Sequence, residues 1–242
     1  MILKFLGTKG YIDISSKKHK MHTSLLILHK NKKFMIDCGE GWERKLKKIN
    51  PDYIIITHAH PDHAFGLKNG TKAKVLATKK SFDLLKKFPL KDSQKKVLDI
   101  EKKIRISTLT IEPFSLIHSI KAPAIGIKVT YLKKSFFYAP DVLWIENREK
   151  AFKDILFYIG DGATINKSLV RKDKKTNKLF GHANISQQLT WCRKENVKKM
   201  IVTHLGSQIV KDEKKAKQTI LKLANEKEVE VLIAYDSLEI KL

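Results

Sequence analysis

The stretch IIITHAHPDHAFGL, Ile54 to Leu67, sets three histidines and an aspartate in six successive positions behind a run of β-branched apolar residues. Such a run reads as a buried strand, so the polar side chains leave its carboxyl end together. In an extended segment residues two apart point the same way, which lets His58 and His60 grip one ion. A tight turn at Pro61 then swings Asp62 and His63 toward a second. Neutral imidazoles and carboxylates suit zinc, iron or manganese. The plain alternative, a solvated or capping loop, accounts poorly for so dense a mixture of ligand types.

Outward from this stretch, ILKFL, TSLLILH and KKFMIDC are further strands punctuated by Gly and Asn-Lys. The segments 42–50 and 79–88 read as helices, each stopped by a proline, Pro51 and Pro89. An antiparallel meander is expected over 103–118, 124–132 and 135–141, then a buried strand over 155–161. The last third alternates: helix 185–196, strand 198–205, helix 212–227, and terminal strands 229–235 and 238–242. PDYIIITHAH and VKKMIVTHLG echo one another, each a strand delivering Thr-His, so two similar halves are expected to meet at His58 and His204. No Gly-, Pro- or Ser-rich linker divides them, and residues 1–242 are read as one domain.

The formal net charge of +24 ordinarily points to a polyanionic partner. Only five of the 49 basic residues are Arg, however, and the Lys pairs are scattered along the whole chain. A Lys-biased composition explains the charge about as well as a nucleic-acid surface does. Cys38 and Cys192 lie far apart and form no CxxC pair, so neither a disulfide framework nor a zinc ribbon is suggested. The sequence shows neither a transmembrane run nor a signal peptide, which makes the cytoplasm the expected compartment and leaves no membrane partner.

The pattern HxHxDH behind a hydrophobic strand resembles the metallo-β-lactamase superfamily, and FLGT, MIDCGEG and DHAFGL resemble its usual accompaniments. The resemblance implies an α+β fold, a four-layer αββα sandwich, holding two divalent metal ions, zinc first, with manganese and iron as alternatives. It assigns His58, His60 and His118 to one ion and Asp62, His63 and His204 to the other, with Asp141 bridging. Asp161 in YIGDGAT competes for the bridge; in the phosphodiesterase branch such a second aspartate lies just outside the ligands. Two ions roughly 3.5 to 4 Å apart share a water and lower its pKa toward neutrality.

His182, in FGHANISQQL, resembles the histidine with which tRNA 3′-processing endonucleases and cyclic phosphodiesterases stabilise phosphate or protonate a leaving oxygen. Asn184 and Gln187 read as a capping box, and a helix start beside a metal pair attracts an anionic substrate, so Asn184 is a candidate substrate contact. Asp37 and Glu40 are expected to orient ligand imidazoles or to hold the loop as a structural turn. His19 and His22 lie in a basic early loop, and His22 is taken as a candidate phosphate contact. These features favour a phosphodiesterase or nuclease in which a metal-bridging hydroxide attacks in line, with Asp62 as ligand and proton acceptor and His182 aiding the leaving group. The substrate would be RNA, DNA or a small cyclic phosphate, and a homodimer is compatible with this reading. The alternative is hydrolysis of a carboxylic ester, thioester or lactone at the same ions. His118 and Asp141 stand too close in sequence to enclose the tRNA-grasping arm of the long-arm endonucleases. The polar segment 166–181 lies elsewhere, read equally as a basic substrate flap or a mobile loop.

Overall fold

The first six strands, β1 (Ile2–Gly7), β2 (Ser24–His29), β3 (Lys32–Ile36), β4 (Tyr53–Ile55), β5 (Lys74–Ala77) and β6 (Lys95–Val97), form one sheet in chain order. The structure, a computed structural model, describes residues 1–242. A second sheet takes β7 (Ile104–Ile106), β8 (Leu109–Ile117), β9 (Ala124–Tyr131), β10 (Lys134–Tyr138), β11 (Trp144–Ile145) and β12 (Phe157–Asp161). A separate hairpin, β13 (Leu169–Lys172) with β14 (Leu179–His182), follows. β15 (Lys199–Thr203) and β16 (Glu230–Ile233) complete the second sheet, and β17 (Glu239–Lys241) returns to pair antiparallel with β1.

Both sheets repeat one order of pairings. β1–β2–β3 is antiparallel and then β3, β4, β5 and β6 run parallel; β8–β9–β10 is antiparallel and then β10, β12, β15 and β16 run parallel. By position in that order β4 matches β12 and β5 matches β15. The Thr-His echo therefore joins strands at different places in their sheets.

Three apolar cores separate four layers. Between the sheets lie Phe5, Ile27, Phe34, Ile36 and Ile55 against Ile111, Ile127, Tyr138 and Ile159. The alternate residues, Leu26, Met35, Ile54, Ile56 and Val75, face outward and meet Trp42, Leu46, Leu67 and Leu85. This outer layer is made of α1 (Leu46–Ile49), α2 (Pro61–Ala64) and α3 (Lys79–Leu84) with their loops. On the opposite face, α4 (Arg148–Phe152), α5 (Ile185–Lys194), α6 (Ser207–Lys211) and α7 (Glu213–Glu226) cover Phe137, Tyr158, Met200 and Val202. The architecture is the expected αββα sandwich. Strands buried on both faces carry unbroken apolar runs, which is why III at 54–56 and its neighbours lack a polar side.

The expected helix 42–50 is a 3-10 turn at Glu40–Trp42 followed by α1, which ends on left-handed Asn50 (φ 48°) before Pro51. The expected helix 79–88 is capped by Thr78, whose hydroxyl accepts from Ser81 N–H, and stops at Leu84. The strand expected over 103–118 breaks into β7 and β8 at Ser107 (φ 57°). Pro113 sits inside β8 where the outer edge lies between its pairings with β7 and β11, so its missing N–H leaves no rung broken. Cys38 and Cys192 are buried and free, with burial pushing both thiols up. No helix is long and apolar enough to cross a membrane.

Candidate metal centre

Strands end, and the residues of the cluster begin. Asp37 follows β3, His58 and His60 follow β4, His118 follows β8, Asp141 follows β10, Asp161 closes β12, His182 closes β14, and His204 follows β15. α2 carries Asp62 and His63 in a single turn, started by extended His60 and by Pro61 at its first position, where a fixed φ and a missing N–H cost nothing. Gly39 makes this turn possible: a Cβ there would collide with the Asp62 carbonyl. Asp37 (φ 62°) and His204 (φ 53°) occupy the left-handed region that non-glycine residues avoid, the kind of strain that collects at functional sites.

Asp141 stands at the centre. Its Oδ2 lies 3.3 Å from His58 Nε2, 3.3 Å from His118 Nε2 and 3.1 Å from His63 Nε2, and its Oδ1 lies 2.9 Å from His204 Nδ1. Asp62 Oδ2 is 3.2 Å from both His63 Nε2 and His204 Nε2. His58 Nε2 and His60 Nδ1 approach to 2.9 Å. Three overlapping groups could each hold an ion: His58, His60, His118 and Asp141; Asp62, His63, Asp141 and His204; and Asp141, Asp161, His182 and His204. The first two are the ligand sets expected from sequence. Asp141 belongs to all three groups and Asp161 to one.

The donor set fits divalent metal. His63 Nε2, His118 Nε2, His204 Nδ1 and Asp141 Oδ1 are buried and crowd one another at ion-pair distances without forming a well-aligned hydrogen bond, a costly state that a cation between them relieves. The opposite ring nitrogens are held. His63 Nδ1 is 2.8 Å from Asp37 Oδ2, His118 Nδ1 is 3.0 Å from the Gly181 carbonyl, and His58 Nδ1 is 3.1 Å from Thr57 Oγ1. Fixing one nitrogen and aiming the other inward is how proteins orient metal-binding imidazoles.

Titration behaviour agrees. Burial, with neighbouring His63, holds His58 well below its ordinary value, and burial with His118 pushes His60 down to about 4. Burial also lowers His118, against the pull of Asp141. His63 is driven the other way: burial opposes its charge, but Asp62, Asp37 and Asp141 together raise it well above the usual imidazole range. Asp141 likewise overcomes burial to raise His204. Burial would lift Asp62 and Asp141, yet the imidazoles around them hold both well below the ordinary carboxylate value. Protons thus sit where cations are wanted.

Beside the ligand sets, His182 Nδ1 lies 2.7 Å from Asp161 Oδ2, which also accepts from Val142 N–H, while Asp161 Oδ1 accepts from Ala163 N–H. Burial opposes the His182 cation but the Asp161 charge prevails and raises it. His182 and His204 open onto a cavity of about 460 Å3 lined also by Tyr11, Lys167 and Ser207. His22 has a buried, unpartnered Nδ1, and burial lowers it despite the Asp62 charge. Asn184 Oδ1 accepts from Gln187 N–H and Gln187 Oε1 accepts from Asn184 N–H, the capping box read from sequence; Asn184 Nδ2 donates to the Asn166 carbonyl. His19 joins none of the three groups, its Nδ1 lying 2.8 Å from Thr8 Oγ1. Of the pair, Asp37 contacts a ligand imidazole, His63, while Glu40 lies in the 3-10 turn, the structural alternative read from sequence.

Two residues were not singled out in the sequence. Thr57 donates its hydroxyl and its N–H to Asp37. Gln188 accepts from Tyr158 OH and Asp161 N–H and donates to the Asp161 carbonyl, pinning the strand end that carries Asp161. Its signal was a lone polar residue within the apolar stripe Ile185, Leu189 and Cys192.

Comparison with known proteins places this geometry in a family. A ribonuclease Z of Methanopyrus kandleri is 35% identical over 72 residues, an alignment covering 28% of this chain and 25% of that protein. The match thus spans about a quarter of that relative. The metallo-beta-lactamase fold protein YhfI of Bacillus subtilis superposes with a TM-score of 0.76 at 15% identity, covering 99% of this chain and 98% of the other. The short form of human tRNase Z gives a TM-score of 0.67 at 18% identity, covering 100% and 99%. The family described as beta-lactamase superfamily domain matches residues 32–205. With most of its length inside that match, the chain belongs to the beta-lactamase superfamily.

Proposed function

We propose that the protein is a dinuclear-metal-dependent phosphodiesterase acting on nucleic acid. His58, His60, His118 and Asp141 would hold one ion, and Asp62, His63, His204 and Asp141 the other, with zinc the expected metal because borderline nitrogen and carboxylate donors suit it. Bound there, divalent ions supply Lewis-acid polarisation of a phosphoryl oxygen and acidify water.

The observation that carries the phosphodiester reading is His182. It stands on the cavity wall beside His204, and the buried Asp161 carboxylate 2.7 Å away raises it above the ordinary imidazole value, favouring the cation. A cationic donor at that place suits an anionic phosphoryl group and can protonate a departing alkoxide at Nε2, since Nδ1 is committed to Asp161. The Asp62 carboxylate, fixed between His63 and His204, serves as ligand and takes up the proton that attack releases. Asp37 holds His63 through Nδ1. His22 and Asn184 are proposed as contacts to the substrate's outer oxygens, His22 through its unpartnered nitrogen. The ribonuclease Z relatives lend support through a shared segment.

Purified protein restored with zinc or manganese tests this against a phosphodiester reporter and, in parallel, thioester and lactone substrates. Phosphodiester turnover is expected, with Asp62→Ala and His63→Ala inactive. His182→Ala should lower kcat by about 10²- to 10⁴-fold on a substrate with a poor leaving group, and less with a nitrophenolate leaving group that needs no proton. Turnover of thioester or lactone alone would overturn the reading.

A further inference from the structure

We infer that the β13–β14 hairpin is a clamp that holds a single-stranded nucleic acid against the mouth of the metal cavity, an inference that rests on the phosphodiesterase reading of that cavity. The segment is paired from base to tip. Leu169 pairs with His182, Val170 with Gly181, Arg171 with Phe180 and Lys172 with Leu179. The Asp173 carboxylate closes the tip by accepting from the N–H groups of Lys175 and Thr176 and from the Thr176 hydroxyl.

The base is stitched to the cluster. Gly181 N–H donates to the His118 carbonyl at 2.8 Å, and the Gly181 carbonyl lies 3.0 Å from His118 Nδ1. His182 is the last residue of the hairpin, so one strand carries both the proposed proton donor and the arm beside it. On the other strand, Lys167 and Leu169 line the cavity together with His182 and His204. Residues two apart share a face, so Arg171 is the next side chain outward on the face that Leu169 turns to the cavity, and Phe180, directly opposite Arg171, stands beside it.

The charge of the arm is uncompensated. Lys167, Arg171, Lys172, Lys174, Lys175 and Lys178 face one carboxylate, Asp173, already used to close the tip. None of these six holds an acid, unlike the minority of surface lysines, such as Lys4, Lys32, Lys150 and Lys199, that do, and here the unpaired charges are concentrated on one short arm. Six like charges on a two-stranded arm repel one another, and a polyanion is the partner that relieves this. Aromatic faces accompany the charge: Phe180 on the arm, and across the cavity Tyr11, which is 62% exposed. Cations tracking a backbone beside aromatic side chains that can stack on bases describe a groove for an unpaired strand, because a duplex keeps its base faces covered. A small cyclic phosphate would use the cavity and leave the arm without a role. A roomier basic groove of about 890 Å3, with Arg44, Lys47, Lys72 and Lys91, touches none of the cluster, and nothing links it to the chemistry.

Fluorescence anisotropy on the metal-free full chain, where no turnover intervenes, reads binding of labelled oligonucleotides of about 12 nucleotides: single-stranded RNA, single-stranded DNA and a duplex. Either single strand is expected to bind at least about tenfold tighter than the duplex, and Lys174→Glu with Lys175→Glu to weaken it by about tenfold or more. The gentler pair Lys174→Gln with Lys175→Gln keeps the exposed tip intact and should flatten the slope of log affinity against log salt by about 1.4. With metal restored, both pairs should lower the polymer-to-reporter ratio of kcat/KM. Unchanged affinity and salt slope in both pairs, or duplex binding as tight as single-strand binding, would overturn the clamp. Absence of any phosphodiester turnover would instead remove the reading of the cavity on which the clamp rests.

Discussion

At the scale of single residues, the Asp161–His182 pair makes the sharpest claim. Asp161 is fully buried and its charge raises His182 against the effect of burial. Asp161→Asn removes that charge while preserving shape, so His182 falls back and loses its proton at lower pH. If His182 acts as a cation, the basic limb of the pH–rate profile moves to lower pH and kcat drops, with KM for a neutral ester analogue little affected. An unmoved basic limb would remove His182 from the protonated role. The ligand motif was the most legible feature at this scale, because His58, His60, Asp62 and His63 declare themselves by adjacency. Asp141, Asp161 and His118 needed the family resemblance, since each is a lone polar residue at a strand end and only the fold shows which carboxylate stands at the centre.

Elements position these residues through close backbone approach more than through side-chain packing. Gly39 has φ −67° and ψ 176°, a conformation any residue adopts, so only the lack of space forbids a side chain there. Gly39→Ala should push the turn of α2 away from β3, destabilise the protein by about 2 kcal/mol or more in chemical denaturation, and reduce bound metal per chain. Asn184→Ala removes the start of α5 and should cost about 1 kcal/mol by the same measurement. Strands with one or two buried faces were plain in the sequence because their periodicity records burial. The β13–β14 hairpin was not, since β13 is exposed throughout and carries no alternation to read. Likewise α1 is a single Lys-rich turn bounded by Asn50 and Pro51, too short to show the helical period its sequence suggested over nine residues.

Across the whole molecule, the second sheet repeats the pairing order of the first, and the cluster collects at the carboxyl ends of both. That convergence packs Asp37, Asp62, Asp141 and Asp161 into one buried volume, where they need cations. In metal-free protein His63 and His204 provide them. Their raised values mean that stability is fully present below 6.5 and is lost as pH rises through the raised values. The lowered Asp62, Asp141 and Asp161 contribute above 3.8 and lose their contribution as pH falls through their depressed values. The melting temperature of stripped protein should therefore peak on the acid side of neutrality and decline at alkaline pH, and added zinc should abolish the alkaline decline by replacing the protons. A stripped protein most stable at alkaline pH would contradict this charge balance. The two-ion centre itself is tested most directly by anomalous diffraction at the metal edge of a zinc-loaded crystal. The account predicts two peaks roughly 3.5 to 4 Å apart on either side of the Asp141 carboxylate, one among His58, His60 and His118 and the other among Asp62, His63 and His204. A single peak, or one held between Asp161 and His182, would contradict it.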